Sequence, residues 1–227
     1  MTEDHRQGFH RELEGIEAKV IAQFGMIAED LPSATRALLS GNNEAVQVLA
    51  ERDQVIDALY TETEELVNHE ILLQAPLAKD LRFLISVLRI VPELERSHDL
   101  VVEIARRADH SLSEDLSSRS RALVERMGEL AADMWREAAD AWYKRDRSAA
   151  FALDARDDEM DELHASLVAE LASGRMTLPV TMEMTVVARL YERLGDHAVN
   201  IGRRVIYLAG SHPHAKSDPD GPVGIGP

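Results

Sequence analysis

Carboxylates spaced by four residues recur at matching places in the two halves of this sequence. Asp53 with Asp57 and Glu95 with Asp99 lie in the first half; Asp157 with Asp161 and Glu192 with Asp196 lie in the second. On a helix, a spacing of four puts both side chains on one face, one turn apart. Carboxylates brought together repel and raise one another's pKa, and a cation among them resolves the conflict. Hard oxygen donors suit Mg²⁺, Mn²⁺, Fe³⁺ or Ca²⁺. The chain has no cysteine, so disulfides and thiolate metal sites are excluded and any metal must take oxygen or imidazole ligands.

One such pair carries little meaning. With 41 acidic residues in 227, about seven acidic pairs at this spacing arise by chance, most of them solvated or paired with arginine. Recurrence is harder to dismiss. "LERSHDLVVEIARR" (Leu94 to Arg107) and "YERLGDHAVNIGRR" (Tyr191 to Arg204) align without a gap and share Glu, Arg, Asp, Val, Ile, Arg and Arg. "LAERDQVIDAL" (Leu49 to Leu59) matches "LDARDDEMDEL" (Leu153 to Leu163) at Leu, Arg, Asp, Asp and Leu. The offset is 104 residues in the second pair of stretches and 97 in the first, so the first half carries seven extra residues near its second turn. Val102 and Ile104 keep apolar counterparts in Val199 and Ile201, so each acidic face borders residues that favour burial. A duplicated helical unit is the simplest account. By contrast, Glu125, Glu129, Asp133 and Glu137 read as a solvated stripe.

The elements that position these pairs follow from helical spacing. Leu13, Ile16, Val20, Phe24, Ile27 and Leu31 predict a first helix from about His5 to Leu39, with Pro32 as a kink or restart. "SGNN" breaks the chain, with Asn43 a plausible cap, before helices over about 44–73 and 78–109 separated by Pro76. The polar "HSLSEDLSS" has no periodicity and reads as a link. Helices over about 119–144, 147–172 and 181–208 follow, then a Gly- and Pro-rich tail read as disordered. The expected fold is all-α: a three-helix unit over 1–110, a linker over 111–118, a second three-helix unit over 119–209 and the tail over 210–227. If the second and third helices of each unit pack antiparallel, their acidic pairs converge as a four-carboxylate cluster.

Other function classes fare worse. A net charge of −16 argues against nucleic acid, whose phosphates demand a basic surface. The N-terminus is too polar for a signal peptide, and no apolar run approaches the roughly 18 residues of a spanning helix. A cytoplasmic protein that meets membranes only through partners is expected. No phosphate-cradling glycine loop and no Ser/His/Asp or Cys/His arrangement is visible, so an enzyme is not expected. Two rivals remain open. A di-metal carboxylate enzyme would use "ERSH" (Glu95 to His98) and "DELH" (Asp161 to His164) as Glu-x-x-His-like motifs. Against it, His98 corresponds to Gly195 and His164 to Tyr60 in the other copy. The second rival is a metal-free scaffold binding partners through acidic faces.

At these residues the sequence resembles the PhoU family of phosphate-signalling regulators. The family pattern "PxAKDLR…LERxGDxAxNIA" is matched by "APLAKDLRFLISVLRIVPELERSHDLVVEIA" (Ala75 to Ala105), and its second copy by "YERLGDHAVNIG" (Tyr191 to Gly202). "RDQVID" and "RDDEMD" match the family's shorter acidic segment. The resemblance implies two tandem three-helix bundles and a homodimer. It implies that Asp53, Asp57, Glu95, Asp99, Asp157, Asp161, Glu192 and Asp196 are ligands of multinuclear clusters of iron, zinc, manganese or magnesium. It also implies negative regulation of phosphate uptake and of the starvation response, with the ATP-binding subunit of the phosphate ABC transporter and a sensor histidine kinase as partners. Two positions depart from the pattern. His98 stands where the family has Gly, and Glu103 where it has Asn. His98 as an extra ligand, and Glu103 as a third carboxylate one turn past Asp99, are open readings of the first copy. Arg106, Arg107, Arg203 and Arg204 lie near helix C-termini, where the dipole favours cations, and are left unassigned.

Overall fold

The computed structural model describes residues 3–42, 44–108 and 110–210. Among them are six long helices, one short helix and no strand. The long ones are α1 (Glu3–Ser40), α2 (Glu44–Gln74), α3 (Ala78–Arg106), α5 (Ser118–Lys144), α6 (Arg147–Ala172) and α7 (Leu178–Leu208); the short one is α4 (His110–Asp115). The all-α, duplicated three-helix architecture expected from the sequence is the one observed.

Local chemistry accounts for most boundaries. Asn43 lies outside the described residues; the side chain that accepts the first free N–H of α2 is Asn42, from Glu44 at 2.8 Å. Asp146 caps α6 by accepting from Ser148 and Ala149, and Ser117 caps α5 by accepting from Ser120. Pro32 neither ends nor restarts α1, which is helical on both sides of it. At the other proline-bearing start, α7 begins at Leu178 rather than Thr181, because Pro179 suits a first turn whose N–H groups are free anyway.

The stretch over 111–118 that reads as a link carries a short helix. Residues His110–Asp115 form α4, and Ser118 already belongs to α5. Leu112 and Leu116, one helical turn apart, supply the reason: both pack on the core. Two apolar residues make too short a pattern to read as periodic. Asp109 and the tail from Ser211 onward, with His212 and His214, lie outside the described residues.

The two three-helix units abut through α1 against α5 and α3 against α7. Both pairs run antiparallel. Arg121 at the start of α5 donates to the Leu39 carbonyl at the end of α1, while Arg145 after α5 pairs with Glu17 near the start of α1 at 2.6 Å. One continuous core results, filled by α5 side chains that reach into the first unit. Trp135 packs on Phe24 and Trp142 on Phe83, both pairs with ring centroids about 6 Å apart. Tyr191 on α7 donates to Thr35 Oγ1 on α1 at 2.7 Å, and Thr35 in turn donates to the Leu31 carbonyl.

Between α1 and α5 there is no room for a side chain at Gly128, where a Cβ would stand 2.3 Å from Thr35 Oγ1 and 2.7 Å from its Cγ2. Thr35 is held by Tyr191 and Leu31 and cannot turn away. Gly128→Ala should therefore push the helices apart and cost about 1–3 kcal/mol in chemical unfolding. A variant as stable as the wild type would show that the interface yields more easily than its packing implies.

The outer helices α2 and α6 bury one narrow line each. Leu49, Ile56, Thr63 and Glu70 in α2, and Leu153, Met160 and Leu167 in α6, are buried at intervals of seven. Four residues after the first of each series, where the line widens toward α3 or α7, the sequence places Asp53 and Asp157. Further along, the same flank holds the buried Val67 and Leu171. An aspartate set among apolar positions on each outer helix is the structural mark of both clusters.

Candidate metal centre

The structure gathers the eight predicted carboxylates into two clusters, one where α2 meets α3 and one where α6 meets α7. In each, two members are half-buried and two exposed. Asp53 and Glu95 are half-buried beside exposed Asp57 and Asp99; Asp157 and Glu192 are half-buried beside exposed Asp161 and Asp196. The clusters lie at the surface of helix pairs rather than inside a dry bundle.

Their electrostatics follow from that placement. Burial, then Asp99 and Asp57, raise the Glu95 carboxyl above its usual range. Burial, then Asp53 and Asp57, do the same to Asp99, opposed by His98 and Arg106. In the second cluster burial, then Asp196, Asp161 and Glu192, push Asp157 up to about 6. Burial also raises Glu192, with Arg189 opposing it. Each carboxylate group thus makes its own neighbours harder to ionise.

The two clusters differ in what touches them. In the first, His98 is fully buried between two carboxylates. Its Nδ1 lies 2.7 Å from Asp53 Oδ1 and its Nε2 2.9 Å from Asp30 Oδ2. Arg52 adds a contact of 2.8 Å to the same Asp30 oxygen and one of 3.0 Å to Glu29. In the second cluster, the repeat places Asp157 where Asp53 stands and Gly195 where His98 stands, and Met134 on α5 lies by Gly195 as Asp30 on α1 lies by His98. Asp157 leans over Gly195, with Oδ1 2.6 Å from the point any Cβ there would occupy; Met134 and Met160 line the same spot at 3.6 and 3.5 Å. Arg156, the counterpart of Arg52, turns away to Glu137 at 2.6 Å. Asp157 Oδ1 and Glu192 Oε2 are buried and accept no hydrogen bond, while the other Glu192 oxygen pairs with Arg189.

His98 has neither ring nitrogen free for a metal. Glu103 does not join the first cluster; Arg107 ties it at 2.6 Å and also reaches Glu183 on α7. Glu129, Asp133 and Glu137 pair with Arg126, Arg136 and Arg156 on the surface, as a solvated stripe would. Asp30 and Arg52 were not singled out from the sequence. A signal was present: Asp30 continues a line through Ile16, Gln23 and Ala37, spaced by seven and buried throughout, and a carboxylate on such a line needs a partner.

The second donor set fits a hard cation in its chemistry. It offers four carboxylates from two packed helices, two with orphaned buried oxygens, and the cations acting on Glu192 are Arg189 and His164. Among the described residues, no group of three or more His, Asp or Glu side chains is arranged to hold an ion as placed. Mutual repulsion keeps the carboxylates apart, and closing on a cation would take rotamer changes at exposed Asp161 and Asp196. The first set fits less well, because one oxygen of Asp53 is committed to His98.

The raised Asp157 carboxyl has a consequence for stability. In chelator-treated protein the unfolded chain loses this proton near the ordinary 3.8, the folded chain near 6. Between these values the native state binds more protons, so its stability falls as pH rises through that window. Asp157 is only partly buried, and screening reduces the effect to about 1 kcal/mol. Urea titrations from roughly pH 4 to pH 7 should show this decline in the wild type and a flatter profile in Asp157→Asn. Identical slopes would place the perturbed carboxyl elsewhere.

The helices of the two clusters touch directly. His197, next to Asp196, donates from Nδ1 to Ser97 Oγ at 2.9 Å, and the Ser97 proton goes to the Glu93 carbonyl. A change in the packing of one cluster's helix therefore bears on the other.

Comparison with known proteins agrees with this anatomy. The PhoU domain family matches residues 23–108 and again 124–205, one stretch in each three-helix unit. The chain is 33% identical over 209 residues to a phosphate-specific transport system accessory protein PhoU homolog of Zymomonas mobilis, covering 89% of this chain and 87% of that one. It is 30% identical to the Pseudomonas aeruginosa homolog, over 92% of this chain and 88% of the relative. The crystal structure of PhoU from Pseudomonas aeruginosa superposes with a TM-score of 0.81 at 30% identity, covering 88% of this chain and 98% of that one. A PhoU structure from Streptococcus pneumoniae shares the fold at a TM-score of 0.77 and 24% identity, over 88% of this chain and 96% of that one. A family match in both units, relatives alike over most of their length and a common architecture converge on one assignment: the chain belongs to the PhoU family.

Proposed function

We propose that this protein is a metal-binding regulator of phosphate signalling that restrains phosphate uptake and the starvation response. Its relatives in Zymomonas mobilis and Pseudomonas aeruginosa are named accessory proteins of the phosphate-specific transport system. By that relationship its partners are the ATP-binding subunit of the phosphate ABC transporter and a sensor histidine kinase, met in the cytoplasm by a homodimer. Among the described residues no helix is long and apolar enough to cross a membrane. The observation that carries the metal reading is the second cluster, where buried carboxylate oxygens on α6 and α7 lack any donor. Asp157, Asp161, Glu192 and Asp196 would hold the ion, which would cancel their repulsion and tie α6 to α7.

A regulatory role is favoured over catalysis by the side-chain chemistry. The di-metal enzyme needs His98 as a ligand, and His98 is engaged by Asp30 and Asp53. Deleting the gene should raise phosphatase expression and phosphate uptake in phosphate-replete medium. Expression that stays repressed in a strain with no second copy of the family would defeat the negative-regulator reading.

A further inference from the structure

The duplicated design carries a built-in asymmetry. In the first cluster the fully buried His98 ring bridges two carboxylates, with Nδ1 2.7 Å from Asp53 Oδ1 and Nε2 2.9 Å from Asp30 Oδ2. Arg52 adds a cation at Asp30. Each of these features has a neutral or averted counterpart in the second cluster: Met134 for Asp30, Gly195 for His98, and Arg156 facing Glu137. The space beside the second-copy aspartate is filled by its own carboxylate, whereas in the first copy it is filled by the His98 ring.

A cation entering the first cluster would meet a ring that cannot move, since His98 has no exposed surface and is fixed at both nitrogens. It would also have to take Asp53 from a hydrogen bond of 2.7 Å. No such bond holds Asp157, whose Oδ1 is free. We propose that the hydrogen-bonded Asp30–His98–Asp53 triad closes the first carboxylate cluster to metal, so that this chain loads metal at Asp157, Asp161, Glu192 and Asp196 alone. The protein is left with one loadable cluster and one copy closed by its own side chains.

The proposal rests on the metal reading above, and its test separates the two. Full-length protein is stripped with chelator, equilibrated with Mn²⁺, passed through a desalting column and analysed for manganese per chain. The variant D157N/E192Q/D196N should lose bound manganese by at least about tenfold. The variant D57N/E95Q/D99N, which leaves the triad intact, should retain the wild-type amount. D30M/H98G, which writes the second copy's residues into the first, should raise the content about twofold. Retention of half the metal in the first variant, or loss of half in the second, would overturn the proposal, as would a folded D30M/H98G that gains none. Should D30M/H98G not fold, the first two variants decide the matter alone. Wild type that takes up no Mn²⁺ overturns the metal reading together with this one, whereas manganese shared between both clusters overturns only this one.

Discussion

His98→Ala is expected to destabilise the protein by about 3–5 kcal/mol, because it strands carboxylates that the ring holds apart from water. Asp30 is only 5% exposed and Asp53 17%, so neither can recover full hydration when the ring is removed. Arg52 stays on Asp30 and softens the loss there, but nothing replaces the donor on Asp53. Such a loss is a large part of the roughly 5–15 kcal/mol that holds a typical domain together. Removing Asp30 as well should recover part of it, since a buried charge deleted with its partner costs less than one left alone. Chemical unfolding of His98→Ala, Asp30→Met and the double variant measures this directly. Additive effects, or a His98→Ala loss below about 1 kcal/mol, would mean that the triad is not an energetic unit.

The second large effect concerns metal and thermal stability. An ion that binds only the folded chain stabilises it by about 2.7 kcal/mol at a hundredfold excess over its dissociation constant. For a chain of this size that is a rise in melting temperature of about 5–10 °C. Relief of the repulsion that raises the Asp157 carboxyl is part of that affinity at the second cluster. In D157N/E192Q/D196N the rise should vanish, while the metal-free variant melts at or above the metal-free wild type because three crowded charges are gone. A variant that still gains the full increment would locate the ion elsewhere. One that melts far below the metal-free wild type would show that the carboxylates hold the fold together without metal.

Much of the fold was legible because helices advertise themselves locally. Ile16, Val20, Phe24, Ile27 and Leu31 all lie fully buried on the α1 face their spacing marks. The clusters were legible for a different reason. Duplication repeats Asp53 at Asp157 and Asp99 at Asp196, and this recurrence separates them from the many acidic pairs of a chain this charged. What stayed hidden depends on contacts between distant segments. Asp30 meets His98 across 68 residues, and no local pattern joins them. Glu103 lies at cluster spacing from Asp99, but its fate was decided by Arg107 and by Glu183 on another helix. α4 escaped notice because two leucines are too few to define a period. The role of Gly195 could not be seen either, since only the packed helices show Asp157 resting in the space its missing side chain leaves.

On the proposed reading, the second carboxylate cluster carries the regulatory function through a bound metal. Complementing a gene-deletion strain with chromosomal wild type or D157N/E192Q/D196N, expressed to equal levels, tests it most directly through phosphate uptake in phosphate-replete cells. Wild type should restore restrained uptake, and the variant, folded and present, should leave uptake as high as in the deletion. A variant that restrains uptake as well as wild type would contradict the claim.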